Sequence, residues 1–363
     1  MCEKDLVKDS ILEEIYLELR ESEYPIYIWG AGSMSVEVEN RLKEQQIEVK
    51  GFFVNEDKKK SHIIQKEDRI YALDKLEDEQ SKINVVIGHG HFEKRKILEK
   101  YSFINKIYII PNPYIQYCSK GMGKYVESHK PDIENIMVHL ADKQSCDALQ
   151  AYCKVNETDD IRYLMNKEFC IDGMFGFEGL KLTHSERYLD VGAWEGDTIE
   201  LFLEKVSEQY RHIAAVEPDP NSFFVLKQKM KGKGDIEFYP YGVGKKEGIL
   251  YLDRESTQSA YFSEEKDEHG EKIEVKVKTL DSLFVNEMFS LIKISIPFLF
   301  LDVLQGCEEC IKKNKPRLVV NVAADDGVKV FDTINWIFGL KLDYKIALRF
   351  DFPMPTRLYL YAY

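Results

Sequence analysis

Basic blocks are missing from this chain of 363 residues. Its 50 Lys and Arg are outnumbered by 63 Asp and Glu, giving a formal net charge of -13, and they gather in no stripe of the kind that neutralises a phosphate backbone. Nucleic acid is therefore not an expected partner. No apolar run approaches the ~20 residues that span a bilayer, so no membrane span is expected. The opening "MCEKDLVKDSILEEIYLELRESEYP" reads as a charged amphipathic helix rather than a signal peptide, and the expected compartment is the cytoplasm. Cysteine is sparse: seven residues, an odd number without framework spacing, argue against a disulfide scaffold. The one close pair, Cys307 and Cys310 in "GCEECIKK", sits in a helical pattern with no redox-type strand beside it. It reads as packing, and no metal site is expected.

Alternation of strand-like and helix-like runs is abundant. In the first half "PIYIWGAG", "SVEVENRLKEQQ", "EVKGFFVNED", "INVVIGHG" and "INKIYIIPNP" predict a small parallel sheet with crossover helices. Gly30, Gly32 and Ser35 have the spacing of a dinucleotide fingerprint between a strand and a helix. The match is incomplete, because Ser35 replaces the third glycine and Asn55 stands where an acid would grip ribose hydroxyls. A nucleotide or nucleotide sugar and a purely positional or dimerising role both stay open for this half. His89 and His91, at a strand end, lack a third ligand and read as loop polar groups.

The expected organisation is an amino-terminal helix over 1–23, a small Rossmann-like α/β domain over 24–116, a helical connector over 117–183 and a larger α/β domain over 184–363. The last begins with "RYLDVGAWEGDTIELF": a strand, a glycine turn at Gly192 and Gly196, and a helix. A second strand, "HIAAVEP", ends at Glu217, 27 residues after Asp190, where a carboxylate meets a ribose diol. A pyrophosphate favours bare amides at a helix amino terminus. Here Asp190, Glu195 and Asp197 surround the turn with negative charge, which suits a cationic sulfonium and ammonium and favours S-adenosylmethionine over a dinucleotide. Trp194 is placed either to lie against that cation or to pack. Further strands are expected in "IEFYPYGVG", "SLIKISI" and "RLVVNVA", with "YKIALRF" and "RLYLYAY" as a closing antiparallel pair. A polar excursion with strand character lies between the third and fourth, offering Ser259 and Tyr261 to the cofactor edge or the acceptor.

From Tyr188 to the carboxyl terminus, "DVGAWEGDT", "AVEPDPNSF", "VKTLDSL", "LIKI", "LDVLQGCEECI" and "KPRLVV" occur in the order that resembles the FkbM-type S-adenosylmethionine-dependent methyltransferases. The smaller preceding domain and "LADKQSCDAL" are similar to two-domain bacterial members. The resemblance implies a Rossmann-like doubly wound sheet with an antiparallel final strand and O-methylation of a sugar, glycan precursor or other hydroxyl-bearing metabolite. It places Asp190, Gly192, Ala193, Trp194, Gly196 and Asp197 along the cofactor, Glu217 at its ribose, and Tyr241, Gly242 and Val243 near its adenine.

The chain departs from the family after the fourth strand. Where members carry acidic residues, this chain reads Ser295, Ile296, Pro297, Phe298, Leu299 and Phe300, and the polar residue expected after the fifth strand is absent from "VVNVAADDG". Asp325 or Asp326 then becomes the candidate base for a hydroxyl acceptor. Two other readings remain: a noncatalytic scaffold whose acceptor site has become apolar, and an N-methyltransferase. The latter uses Ser295 in "SIPF", which resembles the polar, proline and aromatic motif of amino-methyltransferases. The partner is a small-molecule or glycan acceptor, and the chain is a candidate homodimer.

Overall fold

The structure is a computed structural model that describes residues 11–54, 69–77, 82–89, 95–110, 122–158, 162–165, 170, 173–252, 262–263, 272–322, 328–351 and 354–363. They fold as two compact units. One comprises Met1–Lys120, Lys154–Lys167 and Phe352–Met354, and the other Gly121–Cys153, Glu168–Asp351 and Pro355–Tyr363.

The first unit holds a five-stranded parallel sheet of β1 (Ile26–Trp29), β2 (Gly51–Val54), β3 (Ile70–Ala72), β4 (Ile83–Ile87) and β5 (Ile104–Ile109), in the order β3-β2-β1-β4-β5. Strands β1, β2 and β4 are buried throughout, as expected for a parallel sheet covered on both faces. The three-residue β3 was missed by pattern reading because it is too short to show a period. Gly30 adopts φ +122 after β1, and the helix Ser33–Glu44 follows. Ser35 is fully buried and its hydroxyl donates to the Gly88 carbonyl at 2.8 Å. The close approach expected of a third glycine is supplied by Gly88 instead, where a Cβ would lie 2.5 Å from Ile28 and 2.6 Å from Ser35. His89 packs edge-on against Trp29 at 4.4 Å, while Asn55 and His91 fall outside the described residues.

The second unit is built on a seven-stranded sheet. Its strands are β6 (Arg187–Val191), β7 (His212–Val216), β8 (Ile236–Tyr239), β13 (Leu291–Ile294), β14 (Arg317–Asn321), β15 (Ile346–Phe350) and β16 (Leu358–Ala362), in the order β15-β16-β14-β13-β6-β7-β8. Only β16 runs against its neighbours, pairing antiparallel with both β14 and β15. This is the mixed α/β architecture with an antiparallel final strand expected from the sequence. Between β8 and β13 a four-stranded sheet intervenes, formed by β9 (Gly242–Val243), β10 (Gly248–Leu252), β11 (Phe262–Ser263) and β12 (Ile273–Lys278). The run "IEFYPYGVG" is thus two strands rather than one. It breaks at Pro240, which has no N–H for a ladder, and Gly242 and Val243 turn to pair with Val277 and Lys278 of β12.

One core cluster of this unit gathers Tyr188, Phe202, Ile213 and Tyr361 between the sheet and its helices, with Tyr188 and Phe202 stacked at 4.5 Å. Residues 122–153 pack into this unit. The carboxylate of Asp142 and the hydroxyl of Ser145 receive the buried Arg349 guanidinium of β15 at 2.7 and 2.8 Å. Among the described residues no helix is long and apolar enough to cross a membrane.

Candidate functional site

Strand order decides where a ligand belongs. From β6 the chain moves outward through β7 and β8, then returns to the other side of β6 through β13, so the order reverses between β6 and β13. In open α/β sheets the crevice beyond the carboxyl ends of the strands at such a reversal is the ligand site. Two segments meet there: the turn Gly192–Gly196 after β6 and the turn Ser295–Leu299 after β13. Their backbones touch. Gly192 takes φ +77, and a Cβ on it would lie 2.6 Å from the Ser295 carbonyl oxygen, so only glycine fits without moving that turn.

The Gly192–Gly196 turn is fixed from two sides. The amides of Gly192 and Ala193 both donate to the Val216 carbonyl at 3.0 Å, tying the turn to the end of β7. The Trp194 amide donates to Glu217 Oε2 at 2.8 Å, and the Asp219 amide to Glu217 Oε1 at 2.9 Å. Each carboxylate oxygen of Glu217 therefore holds one backbone amide and keeps lone-pair capacity for a further donor. Glu217 is only 7% exposed, and burial pushes its carboxyl up to about 7 against the lowering effect of the two amides. Trp194 takes φ +45 and is 49% exposed. Gly196, at φ +90, starts the helix Asp197–Lys205.

The charge around the turn differs from the sequence expectation. Asp190 is fully buried and spends its carboxylate inside the protein: Oδ1 accepts from Lys293 Nζ at 2.8 Å, and Oδ2 accepts from Tyr188 at 2.8 Å and Thr198 at 2.5 Å. Lys293, 1% exposed, also donates to the Gly192 carbonyl at 2.8 Å. Asp190 therefore holds the turn through Lys293 and does not present a free charge. Glu195 pairs with Lys229 at 3.6 Å. Asp197 reaches solvent. Desolvation by the protein around it raises its carboxyl, with Lys293 opposing and Asp190 adding to the rise. Of the three acids counted as free negative charge, only Asp197 keeps that role.

The motifs give Lys293 no role, yet its signal is in the sequence. A lysine inside the apolar "SLIKISI" and an aspartate inside "RYLDV" are matching defects, and neighbouring buried strands can only accommodate them as a pair. The register sets Lys293 opposite Asp190.

Ser295 is half-buried at the end of β13, with its amide donating to the Val191 carbonyl at 3.0 Å. Three residues on, Phe298 takes φ +66, a left-handed conformation costly for a bulky side chain, and its carbonyl accepts from Lys329 Nζ at 3.0 Å. Tyr241 is half-buried beyond the end of β8, while Gly242 and Val243 are buried and engaged with β12. Asp325, Asp326, Ser259 and Tyr261 lie outside the described residues.

None of the curated proteins matches the chain in sequence. Among solved structures the chain is similar to methyltransferase FkbM from Methylobacillus flagellatus KT. The two are 16% identical, with 98% of this chain and 94% of that chain covered and a TM-score of 0.60. Two others share a smaller part. One is a putative methyltransferase from Streptococcus mutans in complex with SAH (11% identity, 49% and 88% covered, TM-score 0.31), and the other an rRNA methylase from Streptococcus thermophilus (12%, 50% and 87%, 0.30). Residues 190–346 match the family model of the methyltransferase FkbM domain, from the Lys293 partner Asp190 to the first residue of β15.

Proposed function

We propose that the chain is an S-adenosylmethionine-dependent methyltransferase acting on a hydroxyl of a sugar, glycan precursor or similar metabolite. The observation that carries the cofactor reading is Glu217. It is a buried carboxylate pinned by the amides of Trp194 and Asp219 beside the Gly192 turn, with acceptor capacity left over for a ribose diol. Glu217 would hold the ribose, and the turn Gly192–Gly196, with Asp197, would lie along the methionine part. Tyr241 to Val243 would lie along the adenine. Bound S-adenosylmethionine supplies an electrophilic methyl group.

The chain's own part in the chemistry is to orient the acceptor and receive its proton. A hydroxyl acceptor needs a base as its oxygen attacks, and Asp325 or Asp326, after β14, are the proposed bases. One observation favours a second reading. The turn Ser295–Leu299 brings the Ser295 backbone carbonyl against Gly192 and carries the Ser295 hydroxyl and a left-handed Phe298, a set of groups that also suits an amine acceptor.

A methyl-transfer assay with labelled donor and panels of hydroxyl- and amine-bearing acceptors separates the two. The hydroxyl reading expects turnover to fall by at least about 100-fold in Asp325→Asn or Asp326→Asn with donor affinity retained. The amine reading expects that loss in Ser295→Ala. Full activity in all three variants contradicts both assignments. A protein that binds no donor at all supports a noncatalytic scaffold.

A further inference from the structure

A second chemical cluster lies in the same unit, apart from the Glu217 site. Cys307 and Cys310, 0% and 2% exposed, bracket the start of the helix Glu308–Asn314, and Asp281 comes from the helix Leu280–Phe284. The two sulfurs and a carboxylate oxygen of Asp281 all lie within 4.8 Å of one another. We propose that Asp281, Cys307 and Cys310 form a structural site for a thiophilic divalent cation of the zinc class. The sequence alone reads as packing because the cysteine pair lies in a helical pattern with no redox-type strand beside it; the third donor arrives from 26 residues upstream of Cys307.

The donor set fits the chemistry. Zinc bonds of about 2.3 Å to sulfur and about 2.0 Å to oxygen place tetrahedral donors roughly 3.5 to 3.8 Å apart, so side-chain adjustments of about 1 Å close this cluster around an ion. The carboxylate is already oriented: Asp281 Oδ1 accepts from the Cys310 amide at 2.8 Å and Oδ2 from the Glu309 amide at 3.0 Å, leaving a lone pair on each oxygen. Asp281 is itself anchored, its amide donating to the Gly306 carbonyl at 2.8 Å. The fourth position falls to a solvent oxygen on the half-buried Asp281 side, and the two thiols release their protons to solvent on binding.

Position gives the ion a purpose. Gly306, between the cluster and the helix Phe300–Gln305, touches the backbone of Gly244: a Cβ on Gly306 would lie 2.2 Å from the Gly244 carbonyl oxygen. The ion would brace the contact between the segment after β13 and the segment that follows Tyr241–Val243.

The test uses the full chain, reduced and stripped by chelator, titrated with Co²⁺. One equivalent should produce visible bands of tetrahedral cobalt with a thiolate charge-transfer band, and Zn²⁺ should displace both. Cys307→Ser and Cys310→Ser should abolish the bands. Asp281→Asn should weaken binding by at least about tenfold. X-ray absorption of the zinc-loaded wild type should show two sulfur scatterers at about 2.3 Å, a readout that needs no variant to fold. No bands from excess Co²⁺ with the thiols reduced overturns the site. So do bands that survive Cys307→Ser, or a sulfur count other than two.

Discussion

At the scale of single residues, Glu217 and Lys293 carry opposite electrostatic roles. Burial raises the Glu217 carboxyl from 4.5 to about 7, so the folded protein holds a proton there that the unfolded chain gives up. Its contribution to stability is fully present below about pH 4.5 and is lost as pH rises through about 7, amounting to about 3 kcal/mol. Glu217→Gln should flatten that part of the stability profile, measured by urea unfolding between pH 4 and pH 8. An unchanged slope in the variant would place the titration elsewhere. If the ionised Glu217 holds the ribose as proposed, affinity for S-adenosylhomocysteine should fall about tenfold from pH 8 to pH 6 in the wild type and stay flat in Glu217→Gln. Lys293 acts on the fold. Replacing it by Met leaves the buried Asp190 carboxylate without its cation, an uncompensated charge costing about 3–5 kcal/mol. Adding Asp190→Asn should recover a large part of that loss, and a double variant as unstable as the single one would contradict the pairing.

At the scale of elements, the site is two turns pressed together. Gly192→Ala meets both obstacles at once: the positive φ, and the Ser295 carbonyl 2.6 Å from the new Cβ. The variant should lose about 1–3 kcal/mol of stability by thermal unfolding and most of its affinity for the methyl donor. Full retention of both would mean that the turns are not in register as described. The Gly192 turn was legible in the sequence because glycine spacing after an apolar run is a local signal. The turn after β13 was legible only as a departure, since nothing local in "SIPFLF" reveals that Phe298 is left-handed or that Lys329, 31 residues away, holds its carbonyl. The split of "IEFYPYGVG" into β8 and β9 was likewise hidden. Pro240 marks a break, but only the partner strand β12 shows where the chain goes next.

At the scale of the molecule, each unit has its own sheet, parallel in the first and parallel but for β16 in the second, and its own reversal of strand order, between β1 and β4 in the first and between β6 and β13 in the second. The alternation of strands and helices made the fold class readable, because period and run length survive in a single sequence. Pairings across the chain do not, so neither the Asp190–Lys293 pair nor the approach of Asp281 to the two cysteines is legible in the sequence. The FkbM family match covers residues 190–346, where the second unit carries the Glu217 site. The central claim is that this site holds a methyl donor through Glu217. Its most direct test is calorimetric titration of the full chain with S-adenosylhomocysteine at pH 8, beside Glu217→Ala. The account predicts one-to-one binding that weakens by at least about tenfold in the variant. Equal binding in both proteins, or none in the wild type, would contradict it.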